Sequence, residues 1–331
     1  MPEKRISMAK VSIVIAAYCG EKYILRQLES LFRQSRKPNE IILCDDSPDD
    51  ALALLVKKAA EYSPCPIRYF KNEKQLGPTQ NFAKGMALAS GNFIFLCDQD
   101  DVWKENKVER LLAELMEHKE CDVVFCNSSM VDFQLSPLGY GTADTVNFTP
   151  EKAKELNNGK GLLHLLRTPM LYGHNIAFRR AFLDILLPIP PLDSYDLFIA
   201  ELCAGRGKMR CVYDSLTLHC RHGNNQSTQE RPAGFTGRLK ALFAKHRKGV
   251  DSELYDSFIH AEKAWERLME KVPEECPPEN LAMLKNSAAY YRSRLSLHAK
   301  SRFLRPFYLF TVKGYFAYGY GLRSIFRDLI F

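Results

Sequence analysis

The sequence of 331 residues lacks both common glycine-rich phosphate signatures, having no Gly-x-Gly-x-x-Gly and no Gly-x-x-x-x-Gly-Lys-Ser/Thr. Phosphates bound here are therefore expected on a metal ion and side chains rather than in a backbone cradle of glycines. None of the ten cysteines forms a Cys-x-x-Cys pair, which speaks against a zinc ribbon or a thioredoxin-type centre. Cys44, Cys97 and Cys126 instead lie in or at the end of apolar runs, as small buried hydrophobes do. No apolar stretch reaches the roughly 18–20 residues that cross a bilayer. The opening Met-Pro-Glu-Lys-Arg is polar and lacks the apolar core of a signal peptide. A cytoplasmic chain with reduced thiols is the expectation. Acidic residues are nearly missing from the C-terminal end. From Lys285 onward, nine Lys and Arg face one acid, Asp328, while the whole chain carries only +7. Everything before Lys285 is therefore close to neutral, and the asymmetry points to a local anionic partner.

What is present is a folded α/β protein. With 46% hydrophobic and 26% charged residues, the composition argues against disorder. Val11–Ala17, Ile41–Cys44, Ile67–Phe70 and Phe93–Cys97 are short apolar runs of strand length. Helical patterns separate them: the stripe Ile24, Leu25, Leu28, Leu31 and Phe32, a stretch from about Asp50 to Tyr62, and one opened by Gly77-Pro78 and closed by Gly91. This alternation predicts a mostly parallel sheet covered by helices. A further helix (Lys104–His118) and strand (Asp122–Cys126) follow. Residues 128–160 are polar and read as a long loop or lid. Tyr195–Cys203 reads as a helix and Cys211–Leu218 as a strand, with mainly helical patterns after Gly223.

Ligands of such sheets bind beyond the carboxyl ends of the strands, and both acidic clusters of the first third lie there. Asp98-Gln99-Asp100-Asp101 puts three carboxylates in four residues, a group that repels itself unless a cation sits among them. Hard oxygen donors suit Mg²⁺ or Mn²⁺, which neutralise charge developing on a departing diphosphate. Asp101 could instead cap the next helix. Asp45-Asp46 past the second strand can accept hydrogen bonds from a base or a ribose, or serve only as a turn.

Taken in order, these segments resemble family 2 glycosyltransferases: Val11 to Tyr18, Cys44-Asp45-Asp46-Ser47, Asn72 to Gly77, Asn81-Phe82, Ala89-Ser90-Gly91 and Leu96 to Trp103. The resemblance implies a GT-A fold, inversion at the sugar carbon, and a nucleotide sugar as donor, UDP- or dTDP-linked. Ala16, Tyr18, Asp45, Asp46, Asp98 and Gln99 would then meet the donor, and Asp98 and Asp100 would hold Mn²⁺ or Mg²⁺. Gly173-His174-Asn175-Ile176-Ala177-Phe178 and Arg221-His222-Gly223-Asn224-Asn225 are similar to the bacterial rhamnosyltransferase-like branch. That similarity implies rhamnose as one sugar, His222 as a further metal ligand, and Asp196 as general base. Tyr195 replaces the histidine usual before that aspartate, and Asp193 is a nearby rival. His174 could meet the acceptor or simply pack in the core.

The expected organisation is a catalytic domain over 1–228, with a nucleotide-sugar half at about 10–127 and an acceptor half at about 128–228. A basic, aromatic-rich helical extension would occupy 229–331. Its Phe303, Phe307, Tyr308, Phe310, Tyr315, Phe316, Tyr318, Tyr320, Phe326 and Phe331 interleave with the cations, a composition suited to anionic headgroups. Packing on the catalytic domain would use the same aromatics. The expected partners are the donor, a glycan or lipid-linked acceptor and the inner face of the cell membrane, with a homodimer open and no nucleic acid. Metal-dependent nucleotidyl transfer and a non-catalytic glycan- or lipid-binding module are the alternatives to sugar transfer in cell-surface polysaccharide biosynthesis.

Overall fold

The computed structural model describes residues 9–167, 171–192, 194–222, 250–301 and 303–330. Asp193, the segment Gly223-Asn224-Asn225, Arg302, Phe331 and the expected domain junction near residue 228 lie outside them. Among the described residues, nine strands form one sheet: β1 (Val11–Ala17), β2 (Glu40–Asp45), β3 (Ile67–Lys71), β4 (Phe93–Asp98), β5 (Val102–Trp103), β6 (Val123–Val131), β7 (Pro137–Gly141), β8 (Ile176–Arg179) and β9 (Met209–Cys220). Their order is β3-β2-β1-β4-β8-β6-β9-β5, with β7 paired to β6. The first four strands are parallel; β8 then runs antiparallel between β4 and β6, and β9 lies parallel to β6. The mostly parallel α/β sheet is as expected.

The strand sequences explain both faces. Val14, Ile42, Ile94 and Leu96 bury against Phe82 and Met86 of the helix Pro78–Leu88. Ile13, Ile15, Ile41, Leu43 and Phe95 bury against Leu28 and Leu31 of the helix Ile24–Phe32, and against Leu111 and Leu112 of Lys107–Glu117. Successive side chains point to opposite faces, so strands covered on both sides must be apolar throughout.

Register brings the functional residues together. Ala16 pairs with Asp98 and Cys44, and Ala17 pairs with Asp45, so β1, β2 and β4 end level at the carboxyl edge. The two-residue β5 pairs antiparallel with β9, Trp103 opposite Thr217. That short ladder folds the acidic loop back over the end of β9. Because β8 runs against β4, its start, preceded by the turn Gly173–Asn175, reaches the same edge.

Residues 128–160 are not a lid. They contain the rest of β6, β7, and the helices Thr142–Thr145 and Pro150–Glu155. Asn127 of β6 anchors them, its amide oxygen accepting from Ala143 N–H (3.0 Å) and the Thr142 hydroxyl (2.9 Å). The long C-terminal helices Val250–Lys271 and Pro278–His298 are helical as expected, and their Ala264, Leu268 and Leu284 share one core with Phe198 and Leu202.

Candidate active site

A cleft of about 470 Å³ opens at the carboxyl edge between the two halves of the sheet. Ala16, Tyr18, Asp46, Asp98, Gln99, Asp100 and Asp196 line it, together with Tyr172, Gly173, His174, Tyr195 and His219. Asp45 does not. Its buried carboxylate accepts from Ser47 N–H (2.8 Å), Tyr69 OH (2.6 Å) and Lys71 Nζ (3.3 Å), which anchors the loop after β2. Asp46 faces the cleft but accepts from Leu76 N–H (3.1 Å) and Gly77 N–H (2.8 Å), fixing the turn into the helix Pro78–Leu88.

The turn after β1 and the acidic loop are clamped by one side-chain amide. Gln99 Oε1 accepts from Tyr18 N–H (3.0 Å), and Gln99 Nε2 donates to Tyr18 C=O (2.9 Å). Gly20 permits this, because a Cβ there would stand 2.0 Å from Gln99 Oε1.

Asp98, Asp100 and Asp101 have different surroundings. Asp101 is fully buried; its Oδ1 accepts from Cys220 N–H (3.2 Å) and lies 2.8 Å from His219 Nδ1. Burial opposes its charge, but His219 and His174 outweigh that and hold the carboxyl at about 2. Burial likewise opposes protonation of His219, yet the surrounding Asp101, Asp98 and Asp100 raise it to about 9. The two form a buried ion pair. The helix-cap role for Asp101 does not hold, because the next helix begins only at Lys107 behind Asn106. Asp100 is pushed up to about 8 by burial and by the charges of Asp101 and Asp98. Its Oδ2 lies 2.8 Å from His222 Nε2, whose ring stacks on Tyr23 at 4.4 Å. Burial and the nearby His219 cation lower the His222 pKa, so its imidazole is neutral near pH 7 and has a lone pair to offer. His174 Nδ1 lies 3.4 Å from Asp98 Oδ2.

A buried polar chain supports this loop from below. Lys107 Nζ donates to His174 C=O (2.6 Å) and the Thr217 hydroxyl (2.8 Å), which in turn donates to Asn175 Oδ1 (2.8 Å). Asn175 Nδ2 donates to Ser128 Oγ (2.6 Å), which lies 2.9 Å from His174 Nε2. Trp103 packs beneath, its ring centre 3.8 Å from Lys107 Nζ. Among the described residues, Asp101, His174 and His219 each offer a ligand atom within 4.8 Å of the others. The two imidazoles are stacked, however, at 4.6 Å and 3°. Parallel rings aim their nitrogens poorly at a shared ion, and Asp101 Oδ1 is engaged by His219, while Asp101 Oδ2 and His219 Nε2 have no hydrogen-bond partner among the described residues.

Also lining the cleft, Asp196 sits in the first turn of the helix Tyr195–Gly205, whose N-cap position is Ser194. Its carboxylate accepts from Gly173 N–H (3.1 Å), Leu197 N–H (2.8 Å) and the Ser194 hydroxyl. Burial raises its pKa against those hydrogen bonds. Tyr195 packs on Phe82 at 4.5 Å and runs so close to Gly173 that a Cβ there would stand 1.8 Å from its hydroxyl. Sequence reading overlooked His219, which shares one face of β9 with Thr217, both buried. It also overlooked Tyr172 and the buried Lys107, which no local pattern marks.

The sequence matches the glycosyl transferase family 2 model over residues 12–186, more than half of the chain. An uncharacterized glycosyltransferase of Nostoc sp. is 25% identical over 223 residues, 65% of this chain and 66% of its own length. The UDP-Glc:alpha-D-GlcNAc-diphosphoundecaprenol beta-1,3-glucosyltransferase of Escherichia coli is 30% identical over 108 residues, 33% of this chain and 42% of its own. The matched stretches thus span less than two thirds of these relatives. Among solved structures, S. aureus TarS 1–349 in complex with UDP superposes with a TM-score of 0.52 at 18% identity, covering 97% of this chain and 89% of that one. Mannosyltransferase PcManGT from Pyrobaculum calidifontis, in complex with GDP-Man and Mn²⁺, superposes with a TM-score of 0.54 at 15% identity, covering 96% and 78%. At such identities the likeness concerns the GT-A fold alone; the family rests on the sequence match, and by it this chain belongs to glycosyl transferase family 2.

Proposed function

We propose that the cleft carries out inverting sugar transfer from a nucleotide sugar to a hydroxyl of a glycan or lipid-linked acceptor. The observation that carries this reading is that Asp196 and the Asp98–Asp100 pair line one and the same cleft. Ala16, Tyr18 and Asp46 would border the nucleoside, with Asp45 acting through the loop it anchors. Asp98, Asp100 and His222 would hold Mn²⁺ or Mg²⁺. Asp100 Oδ2 and His222 Nε2 already lie 2.8 Å apart, a carboxylate and an imidazole whose donor atoms suit such an ion. The ion would supply neutralisation of the departing diphosphate.

Asp196 would accept the acceptor's hydroxyl proton while that oxygen bonds to the anomeric carbon and the bond from that carbon to the diphosphate breaks. Its raised pKa makes it a better base than an ordinary carboxylate. Gly173 N–H and the Ser194 hydroxyl would hold its orientation. Tyr195 would shape the acceptor wall where the rhamnosyltransferase-like branch has histidine. UDP or dTDP as the nucleotide, rhamnose as one candidate sugar, and a role in cell-surface polysaccharide biosynthesis belong to the same reading. The UDP-Glc donor and diphosphoundecaprenol-linked acceptor of the Escherichia coli relative support it, as does the UDP bound to TarS. A lipid-linked acceptor would bring the protein from the cytoplasm to the inner face of the membrane, and no described helix is long and apolar enough to cross it.

Thermal-shift titration with a panel of nucleotide sugars, with and without Mn²⁺, tests the donor site, since a ligand specific to the folded state raises its stability. A Mn²⁺-dependent shift is expected for the chain and its loss for Asp100→Ala. An unchanged Mn²⁺-dependent shift in that variant would remove Asp100 from the site.

A further inference from the structure

Between Glu279 and Asp328 the sequence has no acidic residue. Within this stretch lies a dense set of exposed large hydrophobics, including Phe303 (89% exposed), Phe307, Phe310 (79%), Phe316, Leu322 (72%) and Phe326. Phe307 lies in the short helix Arg305–Tyr308, with Phe303 just before it and Phe310 in the 3-10 turn Leu309–Thr311 that follows. Leu322 and Phe326 share one side of the helix Leu322–Ile330, whose opposite side carries the buried Ser324 and Asp328. Lys313 and Arg323 are exposed among them.

These aromatics are presented by a built scaffold. Buried Asp328 accepts from Arg294 Nε (2.7 Å) and Tyr315 OH (2.7 Å) and lies 3.1 Å from His298 Nε2. Arg305 donates to the backbone carbonyls of Asp328 (3.1 Å) and His298 (3.0 Å). Asp328, the acid that closes the stretch, is thereby consumed inside, and no acidic residue lies in sequence among the exposed hydrophobics. On the catalytic side Arg167 donates to the carbonyls of Phe316 (2.6 Å) and Ala317. Five residues after Arg167, Tyr172 lines the cleft.

An apolar surface this rich is rare on a protein that meets only water. Exposed aromatics beside exposed cations, without an acid, complement an anionic bilayer, where rings enter the headgroup boundary and cations meet lipid phosphates. We propose that this face, Phe303–Phe310 with Leu322 and Phe326, docks the protein on an anionic lipid surface. The docking follows from the surface itself. Its use, delivery of the cleft to a lipid-linked acceptor, rests on the proposed function.

Cosedimentation of the full chain with vesicles tests this. Binding is expected to vesicles of phosphatidylcholine with phosphatidylglycerol, weakening as salt is raised, and not to phosphatidylcholine alone. The variant F303S/F307S/F310S should lose roughly tenfold or more in vesicle affinity. Lys313→Gln with Arg323→Gln should lose roughly fivefold per cation removed, on the order of twenty-five-fold together. Both variants should keep wild-type thermal unfolding and wild-type transfer to a water-soluble acceptor. Absence of wild-type binding to either vesicle, or undiminished binding by both variants, would overturn the proposal. So would a wild-type dimer that ignores vesicles and becomes monomeric in these variants, since the face would then belong to a second copy. Vesicle binding without any sugar transfer would instead remove the proposed function and leave the docking face standing.

Discussion

At the scale of single residues, one cleft residue and one core residue make separable predictions. Asp196→Asn keeps the shape and the hydrogen bond to Gly173 but cannot take a proton. Its kcat should fall on the order of 10²–10⁴-fold, the usual contribution of a positioned base, while donor affinity stays as in wild type. Steady-state kinetics beside donor titration would show it, and near-normal turnover would move the base elsewhere. Glu201 lies buried within the helix Tyr195–Gly205, its Oε2 without a hydrogen-bond partner among the described residues. Burial alone raises its pKa well above the usual value. The folded protein therefore holds Glu201 protonated at a pH where the unfolded chain has ionised it. Stability is lost as pH rises above the unfolded value of about 4.3, by about 1.4 kcal/mol per pH unit until the folded pKa is reached. Glu201→Gln should therefore be more stable than wild type in urea at neutral pH, and that advantage should vanish near pH 4.

Elements show what was legible beforehand. β1 is Val11–Ala17, as its continuous apolar run requires, and β2, β3 and β4 each extend the apolar runs by a residue or two. β1, β2 and β4 are buried on both faces, so hydrophobicity marks them directly, while the edge strand β3 is only half-buried. The acidic residues at their ends were equally visible. Residues 128–160 were not, because their order comes from side-chain bonds such as those to Asn127, which leave no periodic trace. Nor could local sequence place His219 against Asp101, a contact made by the two-residue β5 folding 118 residues of separation onto β9. The final helix also escaped an electrostatic reading. In sequence Asp328 is only the single acid set against nine cations, yet it is the hub that joins this helix to Pro278–His298. Burial opposes its charge, and Arg294, His298 and Tyr315 outweigh it, holding the carboxyl at about 2 against an unfolded value of about 3.9. A folded pKa below the unfolded one gives stability that is complete above about pH 3.9 and is lost as pH falls through about 2. Asp328→Asn leaves Arg294 buried without its partner and should cost about 3–5 kcal/mol. Urea unfolding at pH 7 would measure that loss, and the difference from wild type should shrink towards pH 2.

Across the whole molecule, the sheet divides the labour that the proposed function requires. Four parallel strands end level to present the donor side, while β8 and β9 return to the same edge with the turn at Gly173 and His219. None of the basic residues near the C-terminus lines the acidic cleft, so the charges that would meet a membrane are not those that would meet the diphosphate. The central claim is that this cleft breaks the bond at the sugar carbon rather than at phosphorus. Product analysis tests it most directly, by incubating the full chain with Mn²⁺, a nucleotide sugar that raises its stability, and a lipid-linked glycan acceptor. The account predicts release of the nucleoside diphosphate in step with a new glycoside of inverted anomeric configuration. Release of inorganic pyrophosphate, or a glycoside of retained configuration, would contradict it.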